Sequence, residues 1–186
     1  FHPYAMSTFL NVPTSLFYNR EVSGYGLENK ELNCLAARVL DCKDNNFCIY
    51  LIEQWLLSQL RINSTSRREQ DIDRIMTVIR QMYSNPNIRI SELASIACLS
   101  KKQFERVFLA MVGMNPKEYA RIVRFQKSLK LMQNQPEDIV LAQISYQCGY
   151  SDQSHFIREF RTLSGYTPLS LREICEPYSD LFTTPL

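Results

Sequence analysis

The run from Gly149 to Arg172 constrains this chain more than any other stretch of it. Gly149 can take the left-handed backbone of a tight turn between two helices. Asp152 is a good N-cap for the second of these helices, and Phe156 and Phe160, spaced i and i+4, give that helix one apolar seam. The opposite face carries Gln153, Ser154, His155 and Arg158. Thr167 then caps a last short helix that opens on Pro168, a position where the missing N–H costs nothing. A capped basic helix set behind a tight turn has the form of a DNA-reading helix.

The same pattern occurs earlier in the chain. Leu93, Ala94, Ala97, Cys98 and Leu99 match Ile144, Ser145, Cys148, Gly149 and Tyr150 at an offset of 51. Past the turn, Ser100, Phe104, Arg106, Phe108, Gly113 and Pro116 match Asp152, Phe156, Arg158, Phe160, Gly165 and Pro168 at an offset of 52, so the second turn is one residue longer. Ser100 and Gln103 have the spacing of a capping box. The repeated unit is helix, turn, helix, Gly, capped helix; two copies are too few for a solenoid, and each is a helix-turn-helix.

These residues carry a family resemblance. The span from about Asp71 to Arg172 resembles the DNA-binding domain of AraC/XylS-type bacterial transcription regulators, in which a long helix joins two helix-turn-helix units. The second unit carries most of it, through Gly149, Tyr150, Ser154, Phe156, Arg158, Phe160, Gly165, Thr167, Pro168 and Arg172. The first unit agrees at Leu93, Ala94, Ser100, Phe104, Arg106, Phe108, Gly113 and Tyr119, and the linker helix at Arg124. Cys98 departs from the pattern, which has Gly at that turn, and a non-glycine residue there strains the backbone. The resemblance implies a cytoplasmic, non-enzymatic DNA-binding protein that takes no cofactor and acts near RNA polymerase.

The fold expected is all-α: two helix-turn-helix units joined by a long linker helix and preceded by a small, mainly helical segment. Residues 1–60 read as the end of an upstream regulatory domain, 61–70 as a polar linker, 71–175 as the double helix-turn-helix domain and 176–186 as a tail. In the first part, helical patterns run from Leu27 to Leu40 and from Phe47 to Leu60, the latter with Ile49, Ile52, Leu56 and Leu60 at helical spacing. The remainder divides into Ile72 to Tyr83, Ser91 to Ala97, Lys101 to Met111, Pro116 to Gln133, Ile139 to Gln147, Gln153 to Leu163 and Pro168 to Ile174. The breaks fall at Asn85-Pro86, Gly113, Gln135-Pro136, Gly149 and Gly165. Phe17, Tyr18 and Trp55 could serve a core or line a pocket for a small-molecule effector. The chain opens on Phe1 with no initiator Met, and reads as a fragment of something longer.

Charge placement agrees with a nucleic-acid partner. The net charge is only +2, yet residues 1–99 hold ten basic and ten acidic groups, whereas residues 100–172 hold eleven basic and six acidic. The positive surplus therefore sits on the proposed reading region, where phosphate neutralisation needs it. No apolar run approaches the ~18 residues of a membrane span. The six cysteines, at 34, 42, 48, 98, 148 and 175, include no Cys-x-x-Cys pair, and the two histidines, His2 and His155, complete no metal-ligand set. Free thiols are expected, with Cys98 and Cys148 packed at the helix turns.

A linker helix of about eighteen residues spans ~27 Å, against ~34 Å between successive major-groove segments on one face of DNA. With its junctions, such a helix can hold two reading helices about one turn apart. Resemblance and helical spacing point to Lys101, Lys102, Glu105 and Arg106 as groove-facing in the first helix, and to Gln153, Ser154, His155 and Arg158 in the second. Arginine suits the two acceptors of guanine, Gln suits adenine, and Glu105 can accept from cytosine N4. Lys117, Arg121 and Thr167 are placed on phosphates, Thr167 together with the helix N-terminus it caps. Two other readings stay open: a helical protein-interaction domain with no DNA role, and the DNA-binding part of an alkylation-repair regulator. Solvated pairs of Arg106 with Glu105 or Glu118, and of Arg158 with Glu159 or Asp152, would equally account for those arginines.

Overall fold

Capping residues fix where the helices begin. In the computed structural model, which describes residues 4–10, 12–134 and 140–174, the Asn29 side chain accepts from the Leu32 N–H (3.0 Å) and opens a helix over Lys30–Asp41. Asp44 accepts from the Asn46 N–H (2.9 Å) and opens Asn45–Asn63. Ten helices form among the described residues, which contain no strand: α1 Ala5–Phe9, α2 Lys30–Asp41, α3 Asn45–Asn63, α4 Ser66–Ser84, α5 Ile90–Ile96, α6 Lys101–Val112, α7 Pro116–Asn134, α8 Leu141–Gln147, α9 Gln153–Ser164 and α10 Pro168–Ile174. Short 3-10 turns at Thr14–Phe17 and Gly24–Leu27 lie between α1 and α2. The expected all-α class is observed.

The chain divides into two compact units. One holds the residues up to Thr77 together with Ile96–Asn115, and the other Val78–Ser95 together with the residues from Pro116 onward. α6 and α9 thus belong to different units.

In the first unit α1 packs on α3 and α6, the Thr14–Phe17 turn packs on α6, and α2 packs on α3. The docking of the opening segment has a polar core. The buried Thr14 hydroxyl donates to the Ala110 carbonyl (2.8 Å), in the last turn of α6 where helix carbonyls lack an intrahelical partner, and lies 3.3 Å from the carbonyl of Leu109, which the Gly113 N–H already holds. Ser7, also buried, reaches Met111 Sδ at 3.6 Å. α1 and the Thr14–Phe17 turn are therefore seated on α6.

In the second unit α7 packs against α8 and α9, and α9 also against α8 and α10. Leu129, Met132, Ile144, Cys148, Tyr150, Phe156, Phe160 and Leu171 form its core. Burial pushes the Cys148 thiol up to about 11, which keeps it protonated and inert.

Several expectations are corrected. Residues 61–70 are helical except at Ser64 and Thr65, because α3 continues to Asn63 and α4 begins at Ser66. The segment is polar because it is exposed, and its Arg and Glu residues are good helix formers. The helix expected over Phe47 to Leu60 is present, although of the residues that mark its spacing Ile49, Ile52 and Leu60 are exposed and Leu56 is half-buried, while Leu51 and Gln59 are buried. Gln59 Nε2 tolerates burial by donating to Glu31 on α2 (2.7 Å). Trp55 lines an open groove of about 440 Å³ with Leu35 and Ile62, but Phe17 and Tyr18 do not line it. The break at Gln135-Pro136, the start at Ile139, Cys175 and the tail 176–186 lie outside the described residues.

The turn residues behave as their chemistry requires. Gly149 has φ of 83°, and Cys98, its counterpart in the first copy, has φ of 54°. Cys98 is exposed rather than packed inside the turn, since this position matters for its backbone angle and not for its side chain. A left-handed residue with a Cβ costs ~1–2 kcal/mol relative to glycine. Cys98→Gly is thus expected to stabilise the chain by about 1 kcal/mol and raise Tm by a few degrees. An unchanged or lower Tm in a thermal melt would contradict the strain.

Candidate nucleic-acid interface

Each reading helix is built the same way, from a cap outward to an exposed face. At α6 the Ser100 N–H donates to Gln103 Oε1 (3.2 Å) and the Gln103 N–H to Ser100 Oγ (3.4 Å), a complete capping box. Phe104 and Phe108 are fully buried and meet edge to face with centroids 5.6 Å apart. That seam fixes the rotation of the helix, and Lys101, Lys102, Glu105 and Arg106 are left exposed on it. Gly113, at φ 86°, ends the helix; a Cβ there would sit 2.8 Å from the Thr14 carbonyl oxygen. Glycine at that position therefore serves both the turn and the docking of the opening segment.

At α9 Asp152 Oδ1 accepts from the His155 N–H at 2.7 Å, and this bond holds the Asp152 carboxyl below its ordinary range. Phe156 and Phe160 are again fully buried, Phe160 against the Phe125 ring of α7 at 4.9 Å. Gln153, Ser154 and Arg158 are exposed on the other side. Arg106 forms no ion pair with Glu105, nor Arg158 with Glu159 or Asp152.

His155 differs from its neighbours. Its Nδ1 lies 3.1 Å from Ser151 Oγ, its Nε2 lies 3.7 Å from Glu159 Oε1, and its ring meets Tyr150 edge-on at 5.5 Å. The imidazole is half-buried and held on three sides.

The expected phosphate contacts also separate. Lys117 is exposed in the first turn of α7. Arg121, one turn further, donates from Nε to Glu159 Oε1 at 2.8 Å, and Arg124 donates from Nη2 to Oε2 at 3.2 Å. Thr167 is partly buried: its Oγ1 accepts from the Ser170 N–H (3.2 Å), and its own N–H donates to Ser170 Oγ (2.9 Å). This reciprocal cap starts α10 and occupies much of the hydroxyl's capacity.

Glu159 is the functional candidate that reasoning from sequence passes over. Burial alone would raise its carboxyl, but the hydrogen bond from Arg124 and the charges of Arg124 and Arg121 outweigh burial and lower it. Arg124 also stands over the Tyr150 ring at 5.3 Å, a cation–π contact. The available signal is two arginines three residues apart on one helix and an acidic residue between the two seam positions of α9's last turns.

Comparison with known proteins bears on what this surface is for. A family model described as a helix-turn-helix domain matches residues 93–174, which takes in both repeats from Leu93 through α10. Over those residues the chain is similar to helix-turn-helix domains. A probable transcriptional regulator, LumQ, of Photobacterium leiognathi is 25% identical to it over 141 residues, covering 74% of this chain and 56% of that one. An HTH-type transcriptional regulator of Bacillus subtilis, YdeC, is 36% identical over 87 residues, covering 47% of this chain and 29% of its own. This chain spans only about half the length of the first and less of the second. The chain also shares its fold with a crystal structure of a transcriptional regulator from Chromobacterium violaceum described as having an AraC-type DNA-binding domain, at a TM-score of 0.50 and 24% identity, over 54% of this chain and 90% of that one. Among the described residues no helix is long and apolar enough to cross a membrane.

Proposed function

We propose that this chain is the DNA-reading part of a sequence-specific bacterial transcription regulator that places α6 and α9 in adjacent major-groove segments of duplex DNA. The observation that carries this is the repeated pairing of a capped helix, fixed in rotation by two buried phenylalanines, with an exposed face of Lys101, Lys102, Glu105 and Arg106 in one copy and Gln153, Ser154 and Arg158 in the other. Side chains that reach base edges need a fixed mounting and open donors, and Arg106 and Arg158 stand exposed on capped helices without an ion pair among the described residues. Lys117 supplies a phosphate contact at the start of the linker helix. Residues 1–60 act as the regulatory end. Their support is the docking of Ser7 and Thr14 on α6, which gives an upstream signal, a small-molecule effector included, a path to the first reading helix. The protein then works in the cytoplasm, at promoters, beside RNA polymerase.

Band-shift titration of the chain on duplexes selected from a random pool tests the reading: no binding at low salt would overturn it. Two variants separate base reading from positioning. Arg158→Ala is expected to cost about 1–3 kcal/mol at the selected site and to relax preference at one base pair. Lys117→Ala is expected to weaken binding to all sequences alike and to lower the salt slope by about 1. Equal losses on selected and random DNA for both variants would remove Arg158 from a base edge.

A further inference from the structure

One buried carboxylate gathers the polar side chains of the second unit that face away from the exposed reading surface. Glu159 has a side chain only 14% exposed, and it accepts from both Arg121 (2.8 Å) and Arg124 (3.2 Å) of α7. His155, one turn earlier on α9, stands 3.7 Å from the same oxygen that Arg121 holds. Ser151 and Tyr150 close the other sides of the imidazole, and Tyr150 in turn lies beneath the Arg124 guanidinium. The contacts run in a closed circuit from the first turn of α9, through Glu159, to the linker helix and back.

This circuit bears on two residues expected to touch DNA directly. An arginine that neutralises a phosphate presents its guanidinium outward, but Arg121 turns the Nε edge of its guanidinium to Glu159, and two thirds of its side chain is shielded. A histidine that reads a base edge needs an open ring nitrogen, but here Nδ1 faces Ser151 and Nε2 faces Glu159. Apolar packing of Phe156 and Phe160 sets how α9 is rotated, yet it offers little resistance to sliding along the helix axis; two charge-assisted hydrogen bonds to α7 do resist it.

We infer that Glu159 is a positioning residue for base recognition: through Arg121 and Arg124 it locks α9 against the linker helix and holds the His155 ring, and Arg121 serves this clamp instead of a DNA phosphate. The inference rests on the proposed DNA-reading function. Wild-type binding to selected DNA tests that function, and only substitutions within the circuit test the clamp.

The experiment measures binding of the full chain, with Glu159→Gln, Arg121→Ala and the double substitution, to the selected duplex and to a random duplex across a series of salt concentrations. Glu159→Gln keeps the shape and removes the charge. Each single substitution is expected to lower the ratio of selected to random affinity by roughly tenfold, within the usual range for coupled contact pairs, with the double variant no worse than the poorer single. Arg121→Ala should leave the salt slope unchanged, since no phosphate contact is lost. A merely structural role would lower both affinities together through loss of folded protein and would leave the ratio alone. The inference is overturned if the ratio holds in the single variants, if the two losses add, or if Arg121→Ala lowers the salt slope by about 1 as a phosphate contact requires. Should Glu159→Gln fail to fold in a thermal melt, the ratio and slope of Arg121→Ala, whose side chain is one-third exposed, decide the matter alone.

Discussion

Phe160→Ala is expected to remove about 3–5 kcal/mol of stability, the usual cost of emptying a fully buried aromatic site. The ring is wholly shielded from solvent and lies 4.9 Å from Phe125 of α7 and 5.6 Å from Phe156. Whole domains are stable by only ~5–15 kcal/mol, so this one substitution takes a large share. Urea unfolding followed by far-ultraviolet circular dichroism should show a midpoint well below wild type, and DNA binding should fall on selected and random duplexes together, because the mounting of α9 is lost before any contact is. Tyr146→Ala is the control. That ring is 84% exposed, and its removal should change stability by no more than about 0.5 kcal/mol. A Phe160→Ala effect below about 1 kcal/mol would mean that α9 is not held by this seam.

The elements legible in the sequence are those whose ends carry their own chemistry. α10 runs over Pro168–Ile174 as expected, and α6 and α9 begin at Lys101 and Gln153 because Ser100 and Asp152 cap them. Phenylalanines at i and i+4 then determine which face each helix buries, so the exposed faces follow directly. Polarity misleads where it is read as the mark of a linker. Ser64 and Thr65 do interrupt the helices, but Thr65 Oγ1 accepts from the Arg68 N–H (3.3 Å) and Ser64 contacts Glu69, so the polar residues start a helix.

Contacts between distant residues leave no local pattern. Reading along the chain sets Glu159 beside Arg158, but adjacent residues on a helix point apart. Its partners are Arg121 and Arg124, 38 and 35 positions away. Thr14 and Ala110, 96 positions apart, likewise carry no shared periodicity; only the fold brings the hydroxyl to an open carbonyl. The sites that single helices build are thus readable, and the contacts that join one helix to another are not.

The largest effect on binding is expected from the DNA side. α7 has 19 residues, ~28 Å at 1.5 Å per residue; if α6 and α9 both read DNA as proposed, a spacer of that length allows them groove segments about one turn, or roughly 10 base pairs, apart. Inserting five base pairs between those segments of a selected site turns the second one to the far side of the duplex, where a rigid helix cannot follow. Each bidentate base contact is worth ~1–3 kcal/mol, so the two arginine and glutamine contacts of one unit together represent at least about 30-fold in affinity. Titration of the 186-residue chain on the intact and the inserted duplex measures this directly. Two reading helices predict a loss of about 30-fold or more on insertion; equal affinity for both duplexes would mean that a single unit reads DNA, and would contradict the proposed function.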